Sequence, residues 1–172
     1  MEALSNFLVA TGIDYYVATY DWVWPVCETL HFVGMCVLLG TVGVVDLRIL
    51  GVAKGIPIHL LEKFIPLGVI AFLINATTGF VFVAGNPVGG PMEYLTNLSL
   101  QLKMLMVLIA GINLLIFYFA GIQRSLAGVA ADGDAAGSAK LVAAVSLTAW
   151  IMVIIFGRFI MYNDTLLYFL GL

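Results

Sequence analysis

Four long stretches of apolar residues constrain the fold of this chain more than any other feature. They cover residues 25–50, 64–84, 103–122 and 141–162, and each contains few charged side chains. An α-helix needs about 20 mostly apolar residues to cross the hydrocarbon core of a bilayer. None of the stretches alternates polar and apolar residues in short segments, as the strands of a membrane barrel do. The sequence therefore predicts an all-α integral membrane protein, an antiparallel four-helix bundle with short connections.

The composition excludes several other classes of protein. Of the 172 residues, 63% are hydrophobic and 10% are charged, whereas about 25% are charged in an average soluble domain. Two cysteines are too few for a secreted disulfide scaffold. A net charge of −3 with seven scattered Lys and Arg residues argues against a nucleic-acid partner. The aliphatic content excludes a disordered chain.

Basic residues in the connections predict the orientation of the chain in the membrane. Cytoplasmic loops of membrane proteins carry an excess of Lys and Arg. The second connection and the N-terminal segment carry none, whereas the first and third connections carry Arg48, Lys54, Lys63, Arg124 and Lys140. We therefore expect both basic connections in the cytoplasm and both termini on the outer, periplasmic side of a bacterial inner membrane.

The N-terminal segment, residues 1–24, is predicted to be an anchor at the outer membrane surface. It has no basic n-region and no small-residue cleavage site, so we do not expect it to be a secretory signal. Its apolar residues between positions 4 and 9 favour a short interfacial helix that ends at Gly12. A belt of aromatic residues follows at the headgroup level: Tyr15, Tyr16, Tyr20, Trp22 and Trp24. The remaining residues, 25–172, are predicted to form the bundle.

Four ionisable side chains lie inside the predicted spans: Glu28, His31, Lys103 and Arg158. Insertion scales put the free-energy cost of one Asp, Lys or Arg at the centre of a membrane helix at about 2.5–3.5 kcal/mol, so such residues are functional candidates. With the orientation above, all four fall in the outer part of the bundle. Glu28 and His31 are three residues apart and share a helix face.

These groups predict a buried pocket in the outer half of the bundle. Its expected lining consists of Glu28, His31, Met35, Lys103, Met106 and Arg158, with Met161 as an optional member. One acid among three basic groups suits an anion, a heme propionate or a polarised carbonyl such as a quinone oxygen. Two alternatives stay open. In the first, the methionines simply pack the core. In the second, Glu28 forms an ion pair with Arg158 or Lys103 that locks helices together.

Other polar and small residues in the spans favour structural roles. Asn75, Thr77, Thr78 and Asn113 are expected to form hydrogen bonds between helices, and Gly34, Gly40 and Gly43 to allow close helix contacts. Asp46 is expected to cap or pair locally near the inner interface, and Arg48 to set orientation. His59 is expected to be an interfacial residue, and residues 127–137 a flexible connection.

The chain resembles an uncharacterised family of small bacterial four-helix membrane proteins from residue 24 to residue 162. The resemblance rests on Glu28, His31, Gly34, Gly40, the run Asp46-Leu47-Arg48, the run Gln101-Leu102-Lys103 and the pair Gly157-Arg158. More remotely, the chain is similar to a superfamily that includes the copper-resistance D membrane proteins and the small membrane protoporphyrinogen oxidases. In those oxidases, a histidine in an early helix and a lysine that starts a later one are tied to heme b. By position, the resemblance implies these roles for His31, as the metal ligand, and Lys103.

Three hypotheses on function follow. The first is a membrane subunit whose outer pocket binds heme b or a quinone, with His31 as ligand or hydrogen-bond partner, and which works with other membrane or periplasmic redox subunits. The second is transport of a metal ion or small solute, which would need polar residues at several depths. The third is a non-catalytic assembly subunit. In each case the lipid bilayer is the surrounding medium, and a homo-oligomer is compatible with the sequence.

Overall fold

The computed structural model describes residues 1–52, 54–130 and 132–171, except for the side chains of His59 and Glu62. In these residues the regular structure is entirely helical. The prediction for His59 therefore lies outside the described residues. In chain order the helices are α1 (Glu2–Ala10), α2 (Ile13–Thr19), α3 (Val23–Leu50), α4 (Ile58–Leu61), α5 (Ile65–Ala84), α6 (Gly90–Thr96), α7 (Leu98–Phe119), α8 (Ile122–Leu126), α9 (Gly137–Phe159) and α10 (Asn163–Leu170).

Four of these helices, α3, α5, α7 and α9, are long and apolar enough to cross a membrane, which confirms the predicted bundle. Helix α9 continues through a 3-10 turn, Ile160–Tyr162, into α10. Helix α7 begins at Leu98, so Lys103 lies about 7.5 Å inside the helix rather than at its start. Five short helices, α2, α4, α6, α8 and α10, were not predicted.

Proline and glycine set several helix ends. Pro25 and Pro66 lie in the first turns of α3 and α5, where the missing N–H costs no helical hydrogen bond. Helix α3 ends at Gly51, whose φ of +96° is in the left-handed region. The N–H groups of Gly51 and Val52 donate to the carbonyls of Arg48 and Leu47, which is a Schellman motif. As expected, the first helix ends just before Gly12, which has a φ of +70°.

The four long helices are not equally packed against one another. Helix α3 packs along α5 and along α9, and α7 packs along α9. Helices α5 and α7, whose residues are all described, hardly touch. The bundle therefore has an open seam between α5 and α7, and the α3–α9 contact joins its two helix pairs.

One glycine brings α3 and α5 close together. A Cβ atom at Gly34 would lie 2.6 Å from Asn75 Nδ2 and 3.3 Å from the carbonyl oxygen of Ala71. Gly40 has nothing within 4 Å of such an atom, and Gly43 meets only the end of the Leu147 side chain at 3.9 Å. Of the three glycines predicted to allow close contact, Gly34 alone does so.

The two ends of the bundle are built differently. The short helices α1, α2, α6 and α10 lie at the end that carries both chain termini, which we call the termini side, and α4 and α8 lie at the other end, the loop side. A cluster of buried apolar residues closes the loop side: Ile49, Ile58, Ile122, Leu126, Ala135, Ala139 and Ala143. The loop side is thus packed like the interior of a soluble protein.

Arg48 ties the connections of the loop side to the bundle. Its side chain is fully buried, and its Nε donates to the carbonyl of Ile56 at 2.7 Å. Its terminal nitrogens donate to the carbonyls of Ala130 and Gly133 at 3.3 and 3.4 Å. Arg48 therefore holds both loop-side connections, a role beyond the orientation that we expected of it. The connection predicted to be flexible is docked at Ala130 and Gly133.

An exposed carboxylate joins the same two connections. Asp134 Oδ1 lies 2.9 Å from Lys54 Nζ and 3.0 Å from Lys140 Nζ. Hydrogen bonds from Lys54 and Lys140 and the charges of both lysines lower the pKa of Asp134 below its usual value. Two of the five basic residues that predicted a cytoplasmic face, Lys54 and Lys140, thus share one acid on the loop side.

We expect a leucine at Gly34 to separate α3 from α5. Because Asn75 and the Ala71 carbonyl already lie against this position, Gly34→Leu should lower the free energy of unfolding by about 1–3 kcal/mol. Gly40→Leu is the matched control, since the space around Gly40 is open. Thermal unfolding in detergent measures both, and equal midpoints for the two variants would contradict the close contact.

Replacement of Arg48 should release the loop-side connections. Arg48→Met leaves the carbonyls of Ile56, Ala130 and Gly133 without their donor, and we expect a loss of about 2–3 kcal/mol. Limited proteolysis should then cleave the connection between α8 and α9 faster. Arg124→Met is the control, because Arg124 is exposed. Cleavage of both variants at the wild-type rate would contradict the role of Arg48 in holding the connection.

The Asp134 ion pairs should weaken in acid. Because the pKa of Asp134 is lowered in the folded protein, its stabilising contribution is complete above about pH 4, the usual Asp value, and is lost as the pH falls through the lowered pKa. Asp134→Asn should remove this pH dependence, whereas Asp132→Asn should keep it. Hydrogen exchange of the two connections as a function of pH measures the effect, and identical profiles for all three proteins would refute it.

Candidate functional site

The structure brings together two of the basic residues predicted for the site. His31 lies eight residues inside α3, about 12 Å from its start, and Lys103 lies in the second turn of α7. Lys103 Nζ is 3.5 Å from His31 Nε2 across the termini-side half of the bundle. Both side chains are half-buried. We call them the His31–Lys103 pair.

A third helix orients the imidazole of His31. The Thr78 hydroxyl on α5 lies 2.8 Å from His31 Nδ1 and donates its own proton to the carbonyl of Ile74 at 2.8 Å. With its proton on that carbonyl, the hydroxyl oxygen accepts from His31 in the tautomer that carries the proton on Nδ1. His31 Nε2 is then left with a lone pair directed at Lys103, so Lys103 donates in this long contact.

Two glycines lie beside the pair, and a Cβ atom at either would be in ordinary van der Waals contact with it. A Cβ atom at Gly79 would lie 3.7 Å from His31 Cε1, and one at Gly157 would lie 3.5 Å from Lys103 Nζ. The ring of Phe82 packs against the imidazole with a centroid separation of 5.3 Å. Neither glycine is among the predicted site residues, although the pair Gly157-Arg158 carries part of the family resemblance.

Glu28 does not join the pair. Its side chain is exposed and accepts a hydrogen bond from Trp24 Nε1 at 3.0 Å. Its charge acts instead on Tyr94 of the unpredicted helix α6. Burial raises the pKa of Tyr94, and the neighbouring carboxylates of Glu93 and Glu28 raise it further. Glu28 therefore faces the termini-side surface and does not orient His31.

Arg158 is also turned away from the pair. It is exposed, and its guanidinium lies over the ring of Tyr162, 5.2 Å from the centroid and 3.4 Å from the hydroxyl. Met161, in the next turn, is 73% exposed. Met35 and Met106 are half-buried in the bundle. The structure thus brings together His31 and Lys103 out of the four charged or titratable groups predicted to converge.

The ion pair expected as an alternative does not form. Among the residues that the structure describes, the ion pairs within 4 Å are those of Asp134 with Lys54 and Lys140. The same residues contain no group of three or more His, Cys, Asp or Glu side chains that could hold a metal ion. Lys103 therefore has no carboxylate partner in the described part of the chain.

The buried hydroxyl and amide groups divide into two kinds. Thr78 reaches His31 across the α3–α5 contact, and Asn113 donates to the carbonyl of Val142 on α9 at 3.0 Å, which confirms their predicted role. Thr77 and Asn75 donate only to carbonyls of their own helix, those of Leu73 and Ala71. For Thr77 and Asn75 the prediction of a hydrogen bond between helices was wrong.

A cavity of about 310 Å³ lies in the loop-side half of the bundle, away from the His31–Lys103 pair. Its walls are mostly apolar side chains from α3, α5, α7 and α9, and Asp46 is its acidic residue. Asp46 is only 6% exposed, and its Oδ2 has no hydrogen-bond partner. The expectation that Asp46 would simply cap or pair at the interface was wrong.

Comparisons with known proteins add no relatives. No protein-family model matches the chain, and neither a curated protein nor a solved structure matches it. The resemblance to the four-helix family and to the heme-binding superfamily therefore stays a prediction.

Proposed function

We propose that this membrane protein binds a small redox ligand through a carbonyl oxygen at the His31–Lys103 pair, and that the ligand is a quinone. The observation that supports the proposal is the contact between Lys103 Nζ and His31 Nε2, in which no described carboxylate neutralises the charge of the lysine. An ammonium has three N–H donors, and one is directed at His31. The described residues supply no acceptor for the other two.

The chemistry of the pair fits an oxygen acceptor. A carbonyl or semiquinone oxygen is an acceptor that carries partial or full negative charge, and hydrogen bonds from a charged donor are worth about 1.5–3 kcal/mol each. Gly157 leaves the flank of Lys103 free of a Cβ atom. The termini-side half would hold the ring, and lipid-facing surfaces of the bundle would accept its isoprenoid tail.

Heme b is the second candidate, and one contact favours it. Metal-bound histidines usually donate their other ring N–H to an acceptor that fixes the ring, as His31 Nδ1 does to Thr78. Against it, an iron at Nε2 would take the place that Lys103 Nζ now occupies 3.5 Å away. The geometry therefore supports a quinone better than a heme.

We expect protein purified in detergent to retain quinone upon solvent extraction and to bind added decylubiquinone. Lys103→Met should weaken binding of decylubiquinone by about 10- to 100-fold, the equivalent of one charge-assisted hydrogen bond. His31→Ala, which removes the group that positions Lys103, should weaken it less. Arg158→Met is the matched control, because it removes a cation on the same side that faces away from the pair. It should change the affinity by less than about twofold.

Three results would contradict this proposal. A Soret band that disappears in His31→Ala would assign the site to heme b instead. Absence of both quinone binding and a Soret band, with loss of folded protein in His31→Ala, would leave the pair as a structural contact of an assembly subunit. Equal losses of affinity for decylubiquinone in Lys103→Met and Arg158→Met would show that binding depends on the overall positive charge and not on the His31–Lys103 pair.

A further inference from the structure

The cavity of the loop-side half lies at the open seam of the bundle. It is lined from both sides of that seam, by Gly68 and Phe72 of α5 and by Ala110 and Gly111 of α7, and α3 forms its back wall. Because α5 and α7 hardly touch, a molecule dissolved in the bilayer can reach the cavity sideways without entering water. A volume of about 310 Å³ is at the lower end for small-molecule sites.

The polar groups of the cavity converge on one acid. Ser146 of α9, Thr41 and Asn113 line the same space as Asp46. Asp46 Oδ2 nevertheless has no hydrogen-bond partner. Among the described side chains, no Lys, Arg or His forms an ion pair with this carboxylate. An acidic oxygen in apolar surroundings is costly unless a proton or a cation accompanies it.

From these observations we propose that the cavity binds a lipophilic organic cation, whose protonated amine pairs with Asp46 and whose hydrocarbon body fills the apolar walls. The site is separate from the His31–Lys103 pair and does not depend on the quinone proposal. Asp46 supplies the one negative charge, and Thr41 and Ser146 supply oxygen acceptors for the remaining N–H groups. The walls contact the hydrocarbon body and exclude water.

The chemistry of the walls favours this ligand over a bare metal ion. A hard cation takes six or more oxygen ligands, whereas the described wall offers one carboxylate among mostly apolar side chains. An amine with a hydrocarbon body satisfies both features with one molecule. The ligand class is therefore a monovalent, hydrophobic ammonium compound that partitions into the bilayer.

Two compounds of the same shape test the proposal. Adamantan-1-amine is protonated at neutral pH, and adamantan-1-ol is its uncharged counterpart. In nanodiscs, equilibrium dialysis against empty nanodiscs should show saturable binding of the amine and at least tenfold weaker binding of the alcohol. Asp46→Asn, which keeps the shape and removes the charge, should weaken amine binding at least tenfold and leave the alcohol unchanged.

A second variant keeps the test decisive if Asp46→Asn fails to fold. A Cβ atom at Gly111 meets nothing within 4 Å, so Gly111→Phe can fill the cavity without touching Asp46. It should abolish binding of the amine while decylubiquinone binding at the His31–Lys103 pair stays unchanged.

Each contrary result overturns the site. Equal binding of amine and alcohol would show an apolar cavity that does not recognise charge. Wild-type affinity for the amine in folded Asp46→Asn or in Gly111→Phe would place the amine elsewhere in the protein or the lipid. Absence of saturable amine binding in the wild type would show that a proton alone accompanies Asp46.

Discussion

A polar group inside a bilayer has no water with which to form hydrogen bonds, and it must find a partner on the protein or on a ligand. This requirement explains the arrangement of most buried polar side chains here. Thr78 provides the acceptor for His31, and backbone carbonyls of two connections receive the buried guanidinium of Arg48. Asp46 Oδ2 and Asn75 Oδ1 are the buried side-chain atoms, among those described, for which the protein offers no partner.

The spans could be predicted from sequence because the length of an apolar stretch and the position of its charges are local properties. Depth within the bundle was also accessible, and it correctly brought His31 and Lys103 to one level. The direction in which each side chain points around its helix could not be predicted. Three residues of an α-helix differ by about 60° in direction, which suffices to place His31 inside and Glu28 outside. Arg158 lies about 100° from Gly157, and it is Gly157 that faces Lys103.

The roles of Asp46 and Arg48 depend on parts of the chain that are distant in sequence. Both residues are close to the end of α3, where a hydropathy profile predicts the membrane interface. Arg48 is buried where the connections around α4 and α8 contribute the carbonyls of Ile56 and Ala130, and Asp46 is buried at the wall of the cavity between the long helices. No sequence pattern within α3 predicts this burial. Predicting the loop side would have required the tertiary packing of segments about 80 residues away, as in the contact from Arg48 to Ala130.

The seam between α5 and α7 has a mechanical consequence. The pairs α3–α5 and α7–α9 are joined along the α3–α9 contact, and the buried α9 residues Ala139, Ala143 and Ala149 have small side chains. A rotation about that line changes the distance between α5 and α7 without breaking any hydrogen bond inside a helix.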